Sequence, residues 1–581
     1  MTPSVHVGAP RKPLLWGEVG RWGVVGVMQV KCIETMEAFV ALKDNWEAVF
    51  AADPHAQHFL SHGWLRRFLA RKKRWFILAL KEKDPGAPFV AFFPLRLQTR
   101  QDKDGLFFDE IVMAGNYAAD YTGFLCLPEY ERYAVAGFCK VLRQQVWKEI
   151  KLDYFNGPPE RREAMIRALE GPRVMFRRRT PLNEQKIDAT ICPQIHLPQS
   201  WDAYLERHMS SQTRQKLRRF LRKVEGGDEF RITHADAATI DRDLTILFDF
   251  WRTRWSPVKG AERTEELIRS TRQMLMDCFE EGDLDVPVLW HGERPLAALA
   301  NIVDAGKKAI RFYITGRDET WTTPSPGLIL HGYCIRRAIA DGFRLYDFLR
   351  GNEPYKYMFG VEEHRISCVE FKTRDGKNLG GKLNPNSIDF VYRQALDFNR
   401  RGKRVDAERA FRQVVEAAPD HLGAEFGLAN LQVLRGNLAE AEEAFRALLP
   451  RTPDPRPVLM RLADVCLARS AYPRAIEALR DVLRLEPYKG EALYKLGVAS
   501  LVLGEREAAR QAWSQLVEHS APAGTKTDYA EKARRALNRL PVARRPNRGI
   551  LVNPPPAPAA GIDVQAFLMM TRRKTGAAFL N

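Results

Sequence analysis

Residues 309–360 read AIRFYITGRDETWTTPSPGLILHGYCIRRAIADGFRLYDFLRGNEPYKYMFG, and the fold is decided in this stretch. Over Ala309–Thr315 the side chains alternate, so that Ile310, Phe312 and Ile314 share one face and polar or aromatic residues share the other. Alternation with a period of two is typical of a strand with one buried face. We therefore predict a strand over these residues.

A helix, a second strand and a polar loop are predicted to follow. Leu328–Ala340 carries apolar residues at helical spacing, contains no proline and is followed by Gly342, as at the end of many helices. Leu345–Leu349 is a short apolar run that predicts a strand. The loop Arg350–Lys356 then carries several polar or charged side chains that can take part in chemistry.

The residues before this helix, Ser325-Pro326-Gly327, form a small-residue turn. The first amides of a helix have no intrahelical partner, and they carry partial positive charge. Because Gly327 has no side chain, a phosphate or pyrophosphate can approach these amides without a basic residue. The turn therefore predicts an anion site, although Pro-Gly before a helix is also a common plain turn.

The runs SPGLIL, DG and YDFLRGNEPYK resemble the C-terminal half of BioF2-like (CelD/BcsL) acetyltransferases. That family is related to the FemAB peptidyltransferases and to the GNAT superfamily. The resemblance implies an acyltransferase in which acyl-coenzyme A lies over the turn from the fourth strand into the next helix, with its thioester between two splayed strands. The sequence departs from the fuller Arg/Gln-x-x-Gly-x-Gly/Ala pattern, of which it keeps only Gly327.

On this resemblance, acetyl-coenzyme A or another acyl-coenzyme A is the co-substrate, and no metal is expected. The residues implied to contact it lie at the end of the strand and at the start of the helix: Ile314, Thr315, Ser325, Pro326, Gly327 and Leu328.

Composition is that of a globular protein, with 45% hydrophobic and 28% charged residues in 581. The formal net charge of +18 favours an acidic small molecule, a polyanion or a membrane surface as partner. None of the 8 cysteines forms a Cys-x-x-Cys pair, which argues against a zinc site or a disulfide framework and for a cytoplasmic protein. We expect no transmembrane segment.

The N-terminal half predicts helices over Met36–Phe50 and Trp64–Ala70 and a hairpin of Phe76–Lys81 with Phe89–Leu97. Its runs FLSHGWLRRFL and PLRL and the pair Asp120-Tyr121 also resemble the BioF2-like family. In the FemAB relatives this half is a second, degenerate GNAT-type domain that contributes to the substrate site. The resemblance therefore implies that Asp120 and Tyr121 contact the acceptor.

His55, His58 and His62 lie at a spacing that suggests a metal site on a helix. No cysteine or Glu-x-x-His element accompanies them. We interpret them as parts of a polar loop before a helix.

Met209–Gly227 predicts a basic amphipathic helix, because its apolar residues recur at helical spacing and its polar face is almost entirely cationic. Arg214 and Arg218 lie on that face and are candidates to bind an acidic acceptor or donor phosphates. The alternative is an ordinary solvated face.

Further helices are predicted over Leu244–Trp255 and Thr264–Glu280, followed by the strands Val286–Trp290 and Leu296–Val303. With the strand at Ala309 these form an antiparallel meander, and Ser367–Lys372 is a last strand.

From about residue 385 the sequence repeats with a period of 34 residues. The repeated columns are small residues and prolines: Gly402, Gly436, Ser470 and Gly504; Ala410, Ala444, Ala478 and Ala512; Pro419, Pro453 and Pro487. This pattern resembles the tetratricopeptide repeat and predicts about four helix pairs, which stack into a superhelix for a protein partner.

Transfer of an acyl group to an amine needs a base for the ammonium and a proton for the leaving thiolate. Asp347 at the end of a strand is the first candidate base and Glu353 the second, while Tyr355 is a candidate acid. Lys356 and Arg350 are candidates to hold a carboxylate, a phosphate or the developing oxyanion. Alternatively, Asp347 with Arg350, or Glu353 with Lys356, form ion pairs that only fix the loop.

The sequence thus predicts an α+β (α/β) protein of tandem GNAT-like domains with mixed, mostly antiparallel sheets, and then an all-α repeat superhelix. We predict a disordered extension over residues 1–28, with Met28 a possible true start, GNAT-like domains over 29–195 and 196–375, a linker over 376–387, repeats over 388–540 and a disordered tail over 541–581.

The predicted function is acyl-coenzyme A-dependent N- or O-acyl transfer to a small-molecule acceptor. The resemblance implies a sugar or a precursor of a cell-envelope polysaccharide. The alternatives are a FemAB-type transferase that takes its donor from tRNA, and a catalytically inactive scaffold.

Overall fold

The computed structural model describes residues 22–25, 27–183, 185–227, 229–323, 325–520 and 528–540. The predicted disorder of residues 541–581 and of most of residues 1–28 falls outside this part of the chain. One compact unit holds both sheets and extends to Asn386, and a second holds the repeat helices together with residues 101–107.

The first half of the sheet-containing unit begins with a β-meander and helices on its face. In chain order its elements are β1 (Trp22–Val25), β2 (Met28–Ile33), α1 (Met36–Val40), α2 (Lys43–Ala52), α3 (His62–Ala70), β3 (Trp75–Glu82), β4 (Phe89–Gln101), β5 (Phe107–Met113), β6 (Leu125–Cys126), α4 (Glu131–Gln144), β7 (Glu149–Phe155), α5 (Pro159–Leu169) and β8 (Val174–Arg179). The hairpin predicted around Asp84-Pro85-Gly86 is confirmed as β3 with β4.

The second half follows the same scheme of strands and helices. Its elements are β9 (Ile191–His196), α6 (Trp201–His208), α7 (Ser211–Glu225), β10 (Phe230–His234), α8 (Ile240–Lys259), α9 (Ala261–Glu280), β11 (Leu284–Asp285), β12 (Pro287–His291), β13 (Arg294–Asp304), β14 (Ala309–Arg317), α10 (Pro326–Ala340), β15 (Leu345–Asp347), α11 (Pro354–Tyr357), β16 (Glu362–Arg365) and β17 (Ser367–Thr373). The predicted meander of β12, β13 and β14 is confirmed.

Each half contains one mixed, mostly antiparallel sheet, as the sequence predicted. Among the described residues the first sheet has the order β1-β2-β3-β4-β5-β7-β17-β8, with β6 beside β4. The second has the order β10-β12-β13-β14-β15-β9-β16, with β11 beside β13. Parallel pairing occurs at β5 with β7 and at β14 with β15.

Two strands lie in a different sheet from the one that chain order suggests. β17 pairs with β7 and β8 in the first sheet, although the sequence placed it in the second half. β9 pairs with β15 and β16 in the second sheet, although it precedes residue 196. Chain order cannot reveal such an exchange, because the pairing partners are far apart in sequence.

The two halves also share one hydrophobic core. It joins Trp46 and Phe92 of the first half to Leu244, Met274 and Val288 of the second, all buried. The opposite face of each sheet has a core of its own, with α4 and α5 on the first and α7 and α10 on the second. The two halves are therefore packed as one body.

The structure corrects several predicted elements. Trp22–Val25 pairs with β2, so this part of the N-terminal extension is a strand. The sequence also predicts a helix over Tyr130–Glu149, but the helix α4 ends at Gln144, because the chain then extends into β7. Several further strands were not predicted from the sequence: β2, β5, β8, β9, β10, β11 and β16.

The strand β14 contains a bulge that the alternation of its sequence hid. Its register with β13 shifts between Ala300 and Asn301, which pair with Ile314 and Phe312. As a result, Ile310 and Phe312 face α10, whereas Ile314 packs with Tyr313 against the core shared with the first half. The prediction that Ile314 shares a face with Phe312 is wrong, because an extra residue inverts the alternation.

The repeat unit consists of helix pairs that stack in chain order: α12 (Ile388–Arg400) with α13 (Arg404–Ala417), α14 (Leu422–Arg435) with α15 (Leu438–Leu448), α16 (Arg456–Ala468) with α17 (Tyr472–Leu485) and α18 (Gly490–Val502) with α19 (Arg506–Glu518), followed by α20 (Asp528–Arg539). The 34-residue period is thus confirmed as helix pairs.

The column of glycines marks the turn within each helix pair. Gly402, Gly436 and Gly504 have φ angles of 74°, 86° and 81°, and Ser470 takes the same left-handed conformation at 58°. Glycine adopts this conformation without strain, which explains the column. A second alanine column, which the sequence analysis missed, is fully buried where the helices cross: Ala407, Ala441, Ala475 and Ala509.

Two glutamates, 34 residues apart, join successive repeats through ion pairs with arginines. Glu408 pairs with Arg412 of its own helix and with Arg435 at the end of the next helix. Glu442 pairs in the same way with Arg446 of its own helix and with Arg469 at the end of the next helix, and it also pairs with Arg474 of α17. The next joint has Ile476 and Leu503 at the corresponding positions.

Within the described residues, no helix is both long and apolar enough to cross a membrane.

A chain that ends at Asn386 should fold, whereas one that ends at Thr373 should be less stable. Asn378 and the Asn384 amide both donate to the buried carboxylate of Asp109, at 3.0 and 2.7 Å. Each hydrogen bond lost from a buried charged group costs about 1.5–3 kcal/mol. Thermal unfolding of the two truncated chains checks this. Equal melting temperatures would contradict the boundary drawn at residue 386.

Glu442→Gln should destabilise the repeats by about 1–3 kcal/mol. Burial opposes ionisation of Glu442, but the guanidinium groups of Arg446, Arg474 and Arg469 outweigh it and lower its pKa. The stabilisation is therefore complete above the ordinary pKa of about 4.5 and is lost as the pH falls through the lower folded pKa.

Thermal unfolding of the full chain at pH 7 and at pH 3 measures this effect. The matched control is Glu443→Gln, which changes an exposed glutamate next to it. The prediction fails if both variants melt at the same temperature at pH 7, or if Glu442→Gln loses as much on acidification as the unchanged chain.

Candidate functional site

The central strands β14 and β15 separate after a short paired segment. Their parallel register covers Ala309–Arg311 against Leu345–Asp347, and β14 continues to Arg317 while β15 ends. Within the described residues, β14 therefore has no ladder partner on this side beyond Arg311. Ile314 and Thr315, predicted to contact the donor, lie on this unpaired segment.

The N-terminus of α10 follows β14 and has free space around it. The first helical hydrogen bond runs from the Ile329 amide to the Ser325 carbonyl, at 3.2 Å, so the preceding amides lack an intrahelical acceptor. A Cβ placed on Gly327 would meet no described atom within 4 Å. Pro326 occupies the first turn, where its missing N–H costs nothing. The residues present therefore fit an anionic group such as a pyrophosphate.

The short helix α11 brings Tyr355 close to α10. The ring centroids of Tyr355 and His331, in the second turn of α10, lie 6.3 Å apart. His331 is buried, and burial together with the Lys356 charge lowers its pKa to about 3, so its ring is neutral. Tyr355 is 40% exposed and is thus accessible from solvent.

Lys356 holds the polar loop from inside. Its ammonium is almost completely buried and donates to the Arg350 and Gly351 carbonyls, at 2.9 and 3.0 Å. It also pairs with Glu353 at 2.9 Å. The two carbonyls therefore take hydrogen bonds from the ammonium, and Glu353 balances its charge. The predicted ion pair of Glu353 with Lys356 is present, whereas Asp347 and Arg350 each have other partners.

Asp347 is the centre of a buried hydrogen-bond network. Its carboxylate accepts from the Tyr121 hydroxyl at 2.9 Å, from Gln194 Nε2 at 3.0 Å and from the Leu349 amide at 2.8 Å. Burial raises the pKa of Asp347, and the charge of Arg311 opposes this. The bond to Leu349 stabilises a left-handed backbone there, at φ 55°, which is unusual for a leucine.

Arg350 points into the first half of the unit. It pairs with Asp120 at 2.5 Å, and its guanidinium lies 3.7 Å from the centre of the Tyr154 ring. The nearby Tyr313 hydroxyl donates to the Ala118 carbonyl at 2.9 Å. The segment 118–121 therefore contacts Tyr313 of β14 and Asp347 at the end of β15.

The predicted site residues lie on two faces of the second sheet. Tyr346 and Phe348 face α10, and Tyr355 and Lys356 lie on that side. The other side faces the first half and carries the rest of the predicted group: Asp347, Asp120, Tyr121 and Arg350. The sequence could not show which face of the sheet each of these side chains serves, because members of both groups lie close together between Tyr346 and Lys356.

The predicted basic helix is confirmed as α7, and Ser210 caps it. Arg218 is exposed and pairs with Asp202 at 2.7 Å, while Arg214 is partly buried. Leu217 packs against Gly332 of α10, where a Cβ would come within 2.5 Å. Arg214 precedes this crossing, and no described contact places either arginine at Gly327.

Three residues of this site were not found from the sequence: Gln194, Tyr154 and His331. Gln194 lies on β9, a strand that the sequence analysis missed. His331 sits inside an apolar helix, where a histidine usually signals only packing. Tyr154 is the last residue but one of β7 and carries no sequence signal that links it to Arg350.

The three N-terminal histidines do not come together. Buried His58 lies 3.8 Å from Cys278 Sγ, while His62 contacts the Phe39 carbonyl at 3.1 Å. Across the described residues, no group of three or more potential ligands is arranged to hold a metal ion.

Residues 211–357 match the family described as "Acetyltransferase (GNAT) domain". Residues 400–462 and 460–524 match two families described as "Tetratricopeptide repeat". A segment of the second half is therefore similar to GNAT acetyltransferase domains, and a segment of the repeat unit is similar to tetratricopeptide repeats. No curated protein matches this sequence.

Several solved structures are similar to parts of the chain. One is described as FemX, with a TM-score of 0.40 and 10% identity over 58% of this chain and 96% of that chain. A conserved protein of unknown function from Bacteroides thetaiotaomicron VPI-5482 has a TM-score of 0.36 and 11% identity over 59% and 99%. A tetratricopeptide repeat protein from Parabacteroides merdae ATCC 43184 has a TM-score of 0.24 and 20% identity over 26% and 59%.

Gly327→Glu should abolish binding of acetyl-coenzyme A and leave the fold intact. The free space around Gly327 accepts a side chain, but the added carboxylate then occupies the place of the anion at the helix N-terminus. Isothermal titration and thermal unfolding measure the two properties. Gly306→Glu, in an exposed turn, is the control. Unchanged titration by acetyl-coenzyme A in Gly327→Glu would contradict the donor assignment.

Proposed function

We propose that this protein is an acyl-coenzyme A-dependent N- or O-acyltransferase. The observation that carries the proposal is the turn at Gly327. This turn is a helix N-terminus with free space around it, and the preceding strand β14 has an unpaired edge. This turn lies inside the segment that matches the GNAT family. The turn suits the pyrophosphate of the donor, and the edge with Ile314 and Thr315 suits its acyl end.

An acyl thioester supplies an activated carbonyl carbon when it is bound. Tyr355 is the proposed acid, because it is accessible and lies beside α10. Glu353 is the proposed base, acting directly or through water, because its side chain remains 33% exposed. Removing a positioned acid or base typically lowers the rate about 100- to 10,000-fold.

We assign Asp347, Lys356 and Arg350 to positioning. Asp347 is only 1% exposed and already accepts three hydrogen bonds, so an incoming amine has no direct access to it. Lys356 donates to the loop carbonyls, and Arg350 pairs with Asp120 of the first half. Together they hold the backbone that carries Glu353 and Tyr355.

We further propose a sugar or cell-envelope precursor as acceptor, held near Asp120 and Tyr121, with the protein acting in the cytoplasm. The tetratricopeptide repeats would bind a protein partner, as repeat superhelices commonly do. The BioF2-like branch is proposed on the sequence runs that resemble it.

A second candidate is a FemAB-type transferase that takes its donor from tRNA. The exposed cationic face of α7, which includes Lys216 and Arg219, favours it because phosphate contacts dominate RNA affinity. Titration with acetyl-coenzyme A beside tRNA binding at several salt concentrations distinguishes the two. Turnover with any acyl donor would exclude the inactive scaffold.

Tyr355→Phe should lower turnover at least about tenfold and leave the melting temperature nearly unchanged. Tyr357→Phe is the matched control, since among the described residues its hydroxyl donates to Glu363 of the neighbouring strand, at 2.7 Å.

Asp347→Asn should instead lower the melting temperature, because an amide cannot accept all three hydrogen bonds.

Steady-state kinetics with a panel of acyl donors and amine or sugar acceptors measures turnover for each variant. Full activity of Tyr355→Phe would contradict its role as acid. If Asp347→Asn keeps wild-type stability but has no activity, Asp347 is the base, as first predicted from the sequence.

A further inference from the structure

Phe312 and Phe348 lie where the strands β14 and β15 separate. The parallel register ends at Arg311 and Asp347, so these two phenylalanines directly follow the paired segment on each side. Both pack in the core that α10 covers and are almost completely buried, at 3% and 1% exposure. Their ring centroids are 5.9 Å apart in an edge-to-face arrangement. The two rings therefore close the bottom of the fork between the strands on the α10 side.

His331 of α10 packs against both rings. Its ring lies 4.5 Å from that of Phe312 and 5.2 Å from that of Phe348. The Tyr346 hydroxyl lies 3.2 Å from His331 Nδ1, so a hydrogen bond holds the imidazole in place. Phe359 stacks on Phe348 at 5.3 Å and forms a second layer. A buried aromatic cluster that is packed in this way has little room for additional atoms.

Charged groups close the fork on its other face. Arg311 alternates with Phe312 and therefore points toward the first half, where it is 4% exposed and pairs with Asp304 at 2.8 Å. Asp347 is 1% exposed and accepts the hydrogen bonds described above, including that from Tyr121. A hydrocarbon chain that entered here would separate these groups from their partners, which is costly for buried charges. The fork is thus closed at its bottom on both faces.

The unpaired part of β14 joins this fork to the turn at Gly327. From Phe312 to Arg317 the strand has no ladder partner on that side within the described residues, a span of about 17 Å at 3.3 Å per residue. A donor whose pyrophosphate lies at Gly327 can extend its pantetheine arm along this edge, which places its acyl end at the fork. This step rests on the proposed function.

We propose that Phe312 and Phe348 form the floor of the acyl site and restrict the donor to a short acyl group such as acetyl. The methyl group of an acetyl thioester contacts the two rings. A longer chain collides with them, because neither ring can move without displacing His331 or Phe359. The donor class that this predicts is acetyl-coenzyme A, and medium- and long-chain acyl-coenzyme A are excluded.

Isothermal titration of the full chain with acetyl-, butyryl- and octanoyl-coenzyme A tests this floor and needs no variant. We expect the affinity to fall with chain length. Octanoyl-coenzyme A should bind at least about tenfold more weakly than acetyl-coenzyme A, since methylenes that find no room in a site are strongly discriminated against. Equal or tighter binding of octanoyl-coenzyme A would overturn the proposal.

Phe312→Ala and Phe348→Ala should each widen the site. The missing ring leaves space for several methylenes, so butyryl-coenzyme A should bind at least about tenfold more tightly to either variant than to the unchanged chain. Phe359→Ala is the matched control, because it removes a buried ring of the second layer and leaves the floor in place. No gain in either floor variant, or an equal gain in Phe359→Ala, would refute the role of the two rings.

Thermal unfolding shows whether each variant is folded before it is titrated. Phe312→Leu and Phe348→Leu, which remove less volume, replace an alanine variant that does not fold. The same titrations separate this inference from the proposed function. Equal affinity for all three chain lengths refutes the floor and leaves the acyltransferase standing, whereas absence of binding for every acyl-coenzyme A refutes both.

Discussion

The buried carboxylate of Asp347 joins the parts of the sheet-containing unit on which the site depends. It takes hydrogen bonds from Tyr121 of the first half, from Gln194 on the exchanged strand β9 and from Leu349 in its own loop. An ionised group is costly in a low-dielectric interior unless its partners are all in place. The network therefore specifies one arrangement of the two halves and of the loop that follows.

The loop obtains its shape from that arrangement. Leu349 and Gly351 both have left-handed backbones, at φ 55° and 103°, so the chain turns sharply on either side of Arg350. Arg350 is thereby directed at Asp120, while Lys356 is drawn back to the loop carbonyls. Polar residues adjacent in sequence consequently serve opposite faces of the sheet, while Glu353 and Tyr355 keep accessible side chains.

The two halves are held together by more than this network. β17 completes the first sheet and β9 completes the second, so each half supplies a strand to the other. A common core of aromatic and aliphatic residues fills the space between them. Burial of apolar area at this scale provides the main stabilisation, and the polar contacts select the geometry.

The repeat unit follows a different principle, in which stability comes from contacts between neighbours. The buried alanines, from Ala407 to Ala509, allow the helices to approach closely, and Glu408 and Glu442 tie successive repeats through arginines. At the last joint Leu503 takes the place of the arginine and is 42% exposed. The glutamate–arginine connection is therefore confined to the first joints, whereas at the last joint Lys495 of α18 pairs with Asp464 of α16.

The sequence by itself determined the local and periodic features. The 34-residue period predicted the helix pairs, because each repeat places the same small residue at the same close approach, as at Gly436. Alternation and capping predicted the hairpin of β3 with β4, the helix α7 and the helix α10, since these depend on neighbours in the chain. The turn at Gly327 was likewise predicted from adjacent residues.

Only the tertiary structure decided which distant residues meet. The exchange of β9 and β17, the bulge that turns Ile314 to the other face and the burial of Asp347 all depend on pairing between segments far apart in sequence. A one-residue shift in register reverses the faces of a strand, and the sequence of that strand alone does not show it. The fold of each element was thus readable locally, whereas the roles of Asp347, Lys356 and Arg350 depended on their three-dimensional partners.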